Sequence, residues 1–161
     1  MSKEGWVGVD LDGTLAHYEG WLGLSHIGKP IEGVAVRIRE LLARGIEVRI
    51  FTARASDPDT ERRADAIRHI QDYTEQHFGQ RLAVTAEKDF AMVELWDDRA
   101  KQVVPNQGVF LEDLVTKLSA ELNFVRSGLQ RIAESRCDDS SGRGIARSLI
   151  VGMDRGAKPR A

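Results

Sequence analysis

Cysteine is nearly absent: Cys137 stands alone among 161 residues. That excludes an intramolecular disulfide framework and a cysteine-cluster zinc site. Positive charge is not in excess, since 23 Lys and Arg stand against 25 Asp and Glu, for a net charge of -2. A general nucleic-acid binder is normally basic, so that class is disfavoured, whereas binding of a nucleotide or of one strand end is not. Uninterrupted apolar runs are only a few residues long, too short to span a membrane. Met1-Ser2-Lys3-Glu4-Gly5 leads straight into a strand-like run, with no signal-peptide apolar core. A reduced cytoplasmic setting is therefore expected. No internal repeat is visible.

What is present is enough for one domain with a sizeable core, at 42% hydrophobic and 30% charged residues. Trp6 to Leu11 reads as a buried strand that stops at Gly13. Leu15 to Pro30, rich in glycine and aromatics, reads as an excursion. Val34, Ile38, Leu41 and Leu42 have helical spacing within Gly33 to Arg44, and Gly45 follows as a stop. Ile46 to Phe51 is a second strand. Ser56-Asp57-Pro58 reads as a helix start, with Asp57 as cap and Pro58 at the first helical position. That helix is expected to run to about His77, ahead of Gly79. Leu82 to Thr85 and Met92 to Trp96 are the third and fourth strands.

Strands alternating with helices predict an α/β fold with a parallel sheet. Such sheets put their sites at the carboxyl ends of the strands. Three of these ends carry polar residues: Asp10 and Asp12, then Thr52, then Asp97 and Asp98.

Asp10-Leu11-Asp12-Gly13-Thr14-Leu15 resembles the first motif of the haloacid dehalogenase (HAD) superfamily. Val48-Arg49-Ile50-Phe51-Thr52-Ala53-Arg54 is similar to the second, Lys88 to the third and Asp97-Asp98 to the fourth. The resemblance covers about residues 6–105. The lysine-to-Asp-Asp spacing looks most like the capless deoxyribonucleotidase-type branch. It implies a three-layer Rossmannoid core over 1–110. Fewer than twenty residues between the first motif and the first helix leave no room for a cap domain.

The resemblance implies a Mg²⁺-dependent phosphomonoester hydrolase. Asp10 would attack phosphorus and form an aspartyl-phosphate. Asp12 would protonate the leaving oxygen and then activate water. Side chains of Asp10, Asp97 and Asp98, with the Asp12 backbone carbonyl, would hold the metal, Asp98 being preferred over Asp97 as a direct ligand. The residue types suit that chemistry. A phosphate dianion and a carboxylate nucleophile repel each other, so positive charge must offset both. Converging carboxylates suit Mg²⁺, and Lys88 would supply a second cation. The Thr52 hydroxyl and the backbone N–H groups at Gly13, Ala53 and Arg54 would cradle phosphate oxygens.

Simpler roles exist for the same residues. Asp10 to Gly13 can form a tight turn with a self-bonding aspartate. Thr52 can cap a following helix. Lys88 can be a solvated loop residue, leaving Arg54 or Arg99 to supply the charge. Tyr18 and Trp21 in the excursion can stack on a base, or Trp21 can pack the loop down with Leu22, Leu24 and Ile27. His17, His26 and Lys29 are further rim candidates. Asp57 and Asp59 read as helix-start residues rather than ligands.

Leu111, Val115, Leu118, Leu122, Val125, Leu129 and Ile132 are separated by steps of 4, 3, 4, 3, 4 and 3. This is a heptad seam. Residues 111–136 are therefore expected to form an amphipathic helix for packing or homo-oligomerisation, and 137–161 a linker and tail. The leading expectation is a hydrolase of a nucleotide or other small phosphate ester. A phosphatase of a polynucleotide end or protein is one alternative. A non-enzymatic phosphate-binding or assembly module is another.

Overall fold

The computed structural model describes residues 5–134. The chain divides into two compact units, Met1–Ala100 and Lys101–Ala161. Residues 101–110 bond within the second unit. There Val103 bridges Phe110, the Leu111 N–H donates to the Gln102 carbonyl at 2.9 Å, and Lys101 pairs with Glu112 at 2.6 Å. Cys137 and the expected linker and tail lie outside the described residues.

The first unit is built on four parallel strands: β1 (Trp6–Val9), β2 (Glu47–Phe51), β3 (Ala83–Thr85) and β4 (Met92–Trp96), in the order β3-β2-β1-β4. The central strand β1 is buried along its whole length. That is why Trp-Val-Gly-Val reads as a continuous run and not as an alternation. This is an α/β architecture compatible with a Rossmann-like fold.

Helix α1 (Glu32–Ala43) joins β1 to β2, and α2 (Thr60–Phe78) joins β2 to β3. Both steps move across the sheet in one direction, so right-handed crossovers put both helices on one face. Accordingly Ile38 of α1 and Ile70 and Tyr73 of α2 share one core with Val7, Val9, Val48 and Ile50.

Within this unit the two α-helices among the described residues lie on the same face of the sheet. The return from β3 to β4 contains no helix. Residues 86–91 make it as a loop pinned by Asp89, whose carboxylate accepts from Trp6 Nε1 at 2.8 Å and from Arg49 at 3.1 Å. Trp6 and Arg49 alternate with Val7 and Val48, so this loop lies on the face opposite the helices. The Asp89 carboxyl is held below its ordinary value, first by the Trp6 N–H.

The start of α2 also differs from expectation. Asp59, not Asp57, is its cap, accepting from the N–H groups of Glu61 and Arg62 at 2.9 and 3.0 Å. A short 3₁₀ turn, Ala53–Ser56, comes first, and Asp57 accepts from the Asp59 N–H at 2.9 Å. Pro58 therefore stands just outside the helix.

The second unit contains α3 (Leu111–Glu134). Among the described residues no helix is long and apolar enough to cross a membrane.

Candidate active site

Strand order reverses between β1 and β4, since β2 and β3 lie on one side of β1 and β4 on the other. In an open parallel sheet the crevice outside such a switch point is where ligands bind. The two acidic segments end these two strands.

Asp10 continues the ladder, its N–H donating to the Trp96 carbonyl at 2.8 Å. The chain then turns sharply, with Leu15 donating to Asp10 O at 3.2 Å and Ala16 to Leu11 O at 2.8 Å. Leu11, Leu15 and Ala16 are fully buried, so apolar anchors hold the turn while its polar residues face outward. Gly13 has φ +95, and a Cβ there would sit 2.8 Å from Asp98 Oδ2. Glycine thus permits both the turn and the close approach of the β4 end. Thr14 fastens the two: its Oγ1 accepts from the Asp98 N–H at 3.0 Å.

Carboxylate oxygens of Asp10, Asp97 and Asp98 all lie within 4.8 Å of one another. None of the three forms an ion pair among the described residues. The carboxyl of Asp10 is pushed up to about 6, chiefly by burial and further by the charges of Asp97 and Asp98; the Leu11 N–H and Thr14 oppose the rise. Asp97 accepts from the Arg99 N–H at 2.7 Å.

Thr52 extends β2, donating its N–H to the Thr85 carbonyl at 2.9 Å. Its buried hydroxyl accepts from the Arg54 N–H at 3.3 Å, capping the 3₁₀ turn. The capping role and a place on the cavity are therefore both present. A cavity of about 690 Å³ opens here, lined by Asp10, Asp12, Thr52, Ala53, Arg54 and Asp97 but not by Gly13 or Asp98. Tyr18 and Trp21 form one wall, with Leu24, Phe51 and Pro58 adding apolar surface.

The excursion 16–30 is folded back on itself. Ala16 bridges Pro30, and the His17 N–H donates to the Lys29 carbonyl at 2.9 Å. A Cβ at Gly28 would fall 2.0 Å from the His17 carbonyl oxygen, so the two limbs close only over glycine. His17 and Lys29 are exposed and do not line the cavity. His26 enters through its carbonyl, which accepts from Arg54 at 3.0 Å.

Lys88 is exposed in the 86–91 loop and is not a cavity residue. The cations that line the cavity are Arg54 and Arg99. Arg54 is buried and grips Asp12 with two bonds of 2.7 Å. Neither that grip nor the tie from Thr14 to Asp98 is foreseen from the sequence. Their partners lie 42 and 84 residues apart, and the only local signal is their adjacency to the acidic and Thr52 segments.

No protein-family model matches the chain, and no curated protein matches it. Among solved structures, it is similar to a conserved protein from Bacteroides thetaiotaomicron, at 15% identity and a TM-score of 0.42, over 73% of this chain and 91% of that one. So slight a likeness says nothing of what the chain does.

Proposed function

We propose that the chain is a Mg²⁺-dependent phosphomonoester hydrolase of the HAD type, acting on a nucleotide or another small phosphate ester. The observation that carries this reading is the convergence of Asp10, Asp97 and Asp98 at the switch point of the sheet, with Asp10 and Asp97 on the cavity that Asp12 and Thr52 also line and Asp98 beside it.

The donor set fits the metal. All the converging groups are oxygens, no cation pairs with them among the described residues, and burial among like charges raises Asp10. Mg²⁺ prefers oxygen ligands. The side chains of Asp10, Asp97 and Asp98 and the Asp12 carbonyl would hold it. When bound, it offsets the carboxylate and phosphate charges and acts as a Lewis acid.

The chain's own residues then have separate tasks. The Asp10 carboxylate attacks phosphorus; the new bond forms as the bond to the ester oxygen breaks. Asp12, protonated on an oxygen released from the Arg54 fork, gives that proton to the leaving oxygen. Asp12 next takes a proton from water as the water oxygen attacks the aspartyl-phosphate. Inorganic phosphate leaves and the Asp10 carboxylate is restored. Thr52, with the N–H group of Ala53, orients the phosphate oxygens; the Gly13 N–H, expected to share that task, instead donates to the Ala16 carbonyl at 2.9 Å. The cavity volume lies within the range of small-molecule sites, and Tyr18 and Trp21 offer faces on which a base can stack. Both features favour a small ester over a polymer end or protein.

The test is hydrolysis of p-nitrophenyl phosphate and a panel of phosphate esters, with Mg²⁺ and with EDTA. Mg²⁺-dependent turnover that falls to background in Asp10→Asn is expected. Metal binding without turnover of any ester would favour the non-enzymatic module instead.

A further inference from the structure

Arg54 is a cation on the lining of the cavity, yet its hydrogen bonds go to the protein. Nε donates to Asp12 Oδ2 and one terminal nitrogen to Oδ1, both at 2.7 Å. The other terminal nitrogen donates to the carbonyls of Leu24 and His26, at 3.2 and 3.0 Å. Four of the five N–H donors of a guanidinium are thereby spent. The Trp21 ring lies over the same group, 5.1 Å from its carbon to the ring centroid. The Arg54 side chain is only 6% exposed. Its own position is set by the 3₁₀ turn, where Thr52 caps the Arg54 N–H.

We propose that Arg54 is a positioning residue that joins the rim loop to the carboxylate of Asp12, so that seating the rim and aiming the acid/base are one event. This rests on the reading of Asp12 given above. The planar fork makes the joint specific. One edge fixes both carboxylate oxygens, which removes rotation of the carboxylate about its own axis. The opposite nitrogen fixes two carbonyls of a loop that also supplies Trp21 to the cavity wall. A ligand stacked on Trp21 presses on the same guanidinium that orients Asp12. Lysine has the charge but no fork, and cannot hold the four acceptors together.

The coupling has two signatures that simple structural support lacks. The first is dependence on the leaving group. Arg54→Gln and Arg54→Lys leave Asp12 in place but unaimed. Alkyl phosphates, which need protonation of the leaving oxygen, are expected to lose about 100-fold or more in kcat, and p-nitrophenyl phosphate much less. Equal losses for both esters would overturn the proposal. The second signature needs no turnover. Amide hydrogen exchange in residues 23–28 is expected to speed up in Arg54→Gln and also in the isosteric Asp12→Asn. The double variant should exchange no faster than Arg54→Gln alone. Unchanged rim exchange in Asp12→Asn would overturn the coupling. A wild-type protein inert toward every ester removes the phosphatase reading, and the exchange result then decides the coupling by itself.

Discussion

Asp10 is half-buried beside two further carboxylates, and without a bound cation its ionisation opposes folding. Its folded value of about 6 exceeds the ordinary 3.8. Below about pH 4 the group is neutral in both states, so stability is full there. Between about pH 4 and 6 the unfolded chain ionises first and stability falls; above 6 the loss is complete. For a half-buried group the loss is about 1–2 kcal/mol after solvent screening. In EDTA, Asp10→Asn should therefore melt several degrees above wild type at pH 7.5 and level with it at pH 4. Mg²⁺ should raise the wild-type melting temperature and barely move that of the variant. Equal Mg²⁺ stabilisation of both would remove Asp10 from the metal site. Asp12→Asn separates the two carboxylates further. Its metal contact is assigned to the backbone, so Mg²⁺ stabilisation should persist. Loss of the base should leave a burst of released phenol from an aryl phosphate, followed by turnover slower by about 100-fold or more. Equal loss of Mg²⁺ affinity in the Asp10 and Asp12 variants would contradict the division of roles.

At the scale of elements, periodicity and turn residues made most of the fold readable. Met92 to Trp96 is a strand with the bounds its apolar run implies, and α2 ends ahead of Gly79 as expected. These features depend on local burial and backbone freedom, which a sequence carries directly. The cap of α2 is not legible because Asp57-Pro58-Asp59 offers two caps, and only the 3₁₀ turn before it decides between them. The helix-free return from β3 to β4 was legible only in part. Six residues between strands are too few for a helical crossover, yet the loop's course depends on Asp89 meeting Trp6 and Arg49. Of the candidate site, the convergence of the strand-end carboxylates is legible in the sequence because each pair follows an apolar run, as Thr52 does. The grip of Arg54 on Asp12 is not, since a guanidinium beside Thr52 satisfies the same sequence whether it faces a ligand or a carboxylate. Lys88 illustrates the converse. Its spacing to Asp97-Asp98 is legible, but spacing does not say whether a loop side chain turns toward the cavity.

At the scale of the whole molecule, the strongest unsatisfied demand among the described residues is the seam of α3. Leu118 and Leu122 are each 55% exposed, Val115 54% and Val125 52%. A stripe of this length must be covered, because each fully buried Leu or Val contributes about 1.5–3 kcal/mol. The 4,3 spacing suits a second copy of the same helix better than a flat surface, since it keeps one line of knobs facing a partner. Ser119 and Gly128 weaken the pairing: neither offers a flanking charge, and glycine lowers helix propensity by about 1 kcal/mol. We therefore expect association that is reversible and concentration-dependent at micromolar protein by analytical sedimentation. Leu122→Asp removes an apolar side chain from both copies and adds two facing charges. The dimer dissociation constant should rise by about 100-fold or more, while the circular dichroism stays that of a folded chain. A wild-type monomer throughout the micromolar range would refute self-association. An unfolded Leu122→Asp protein would instead make the seam part of the chain's own core.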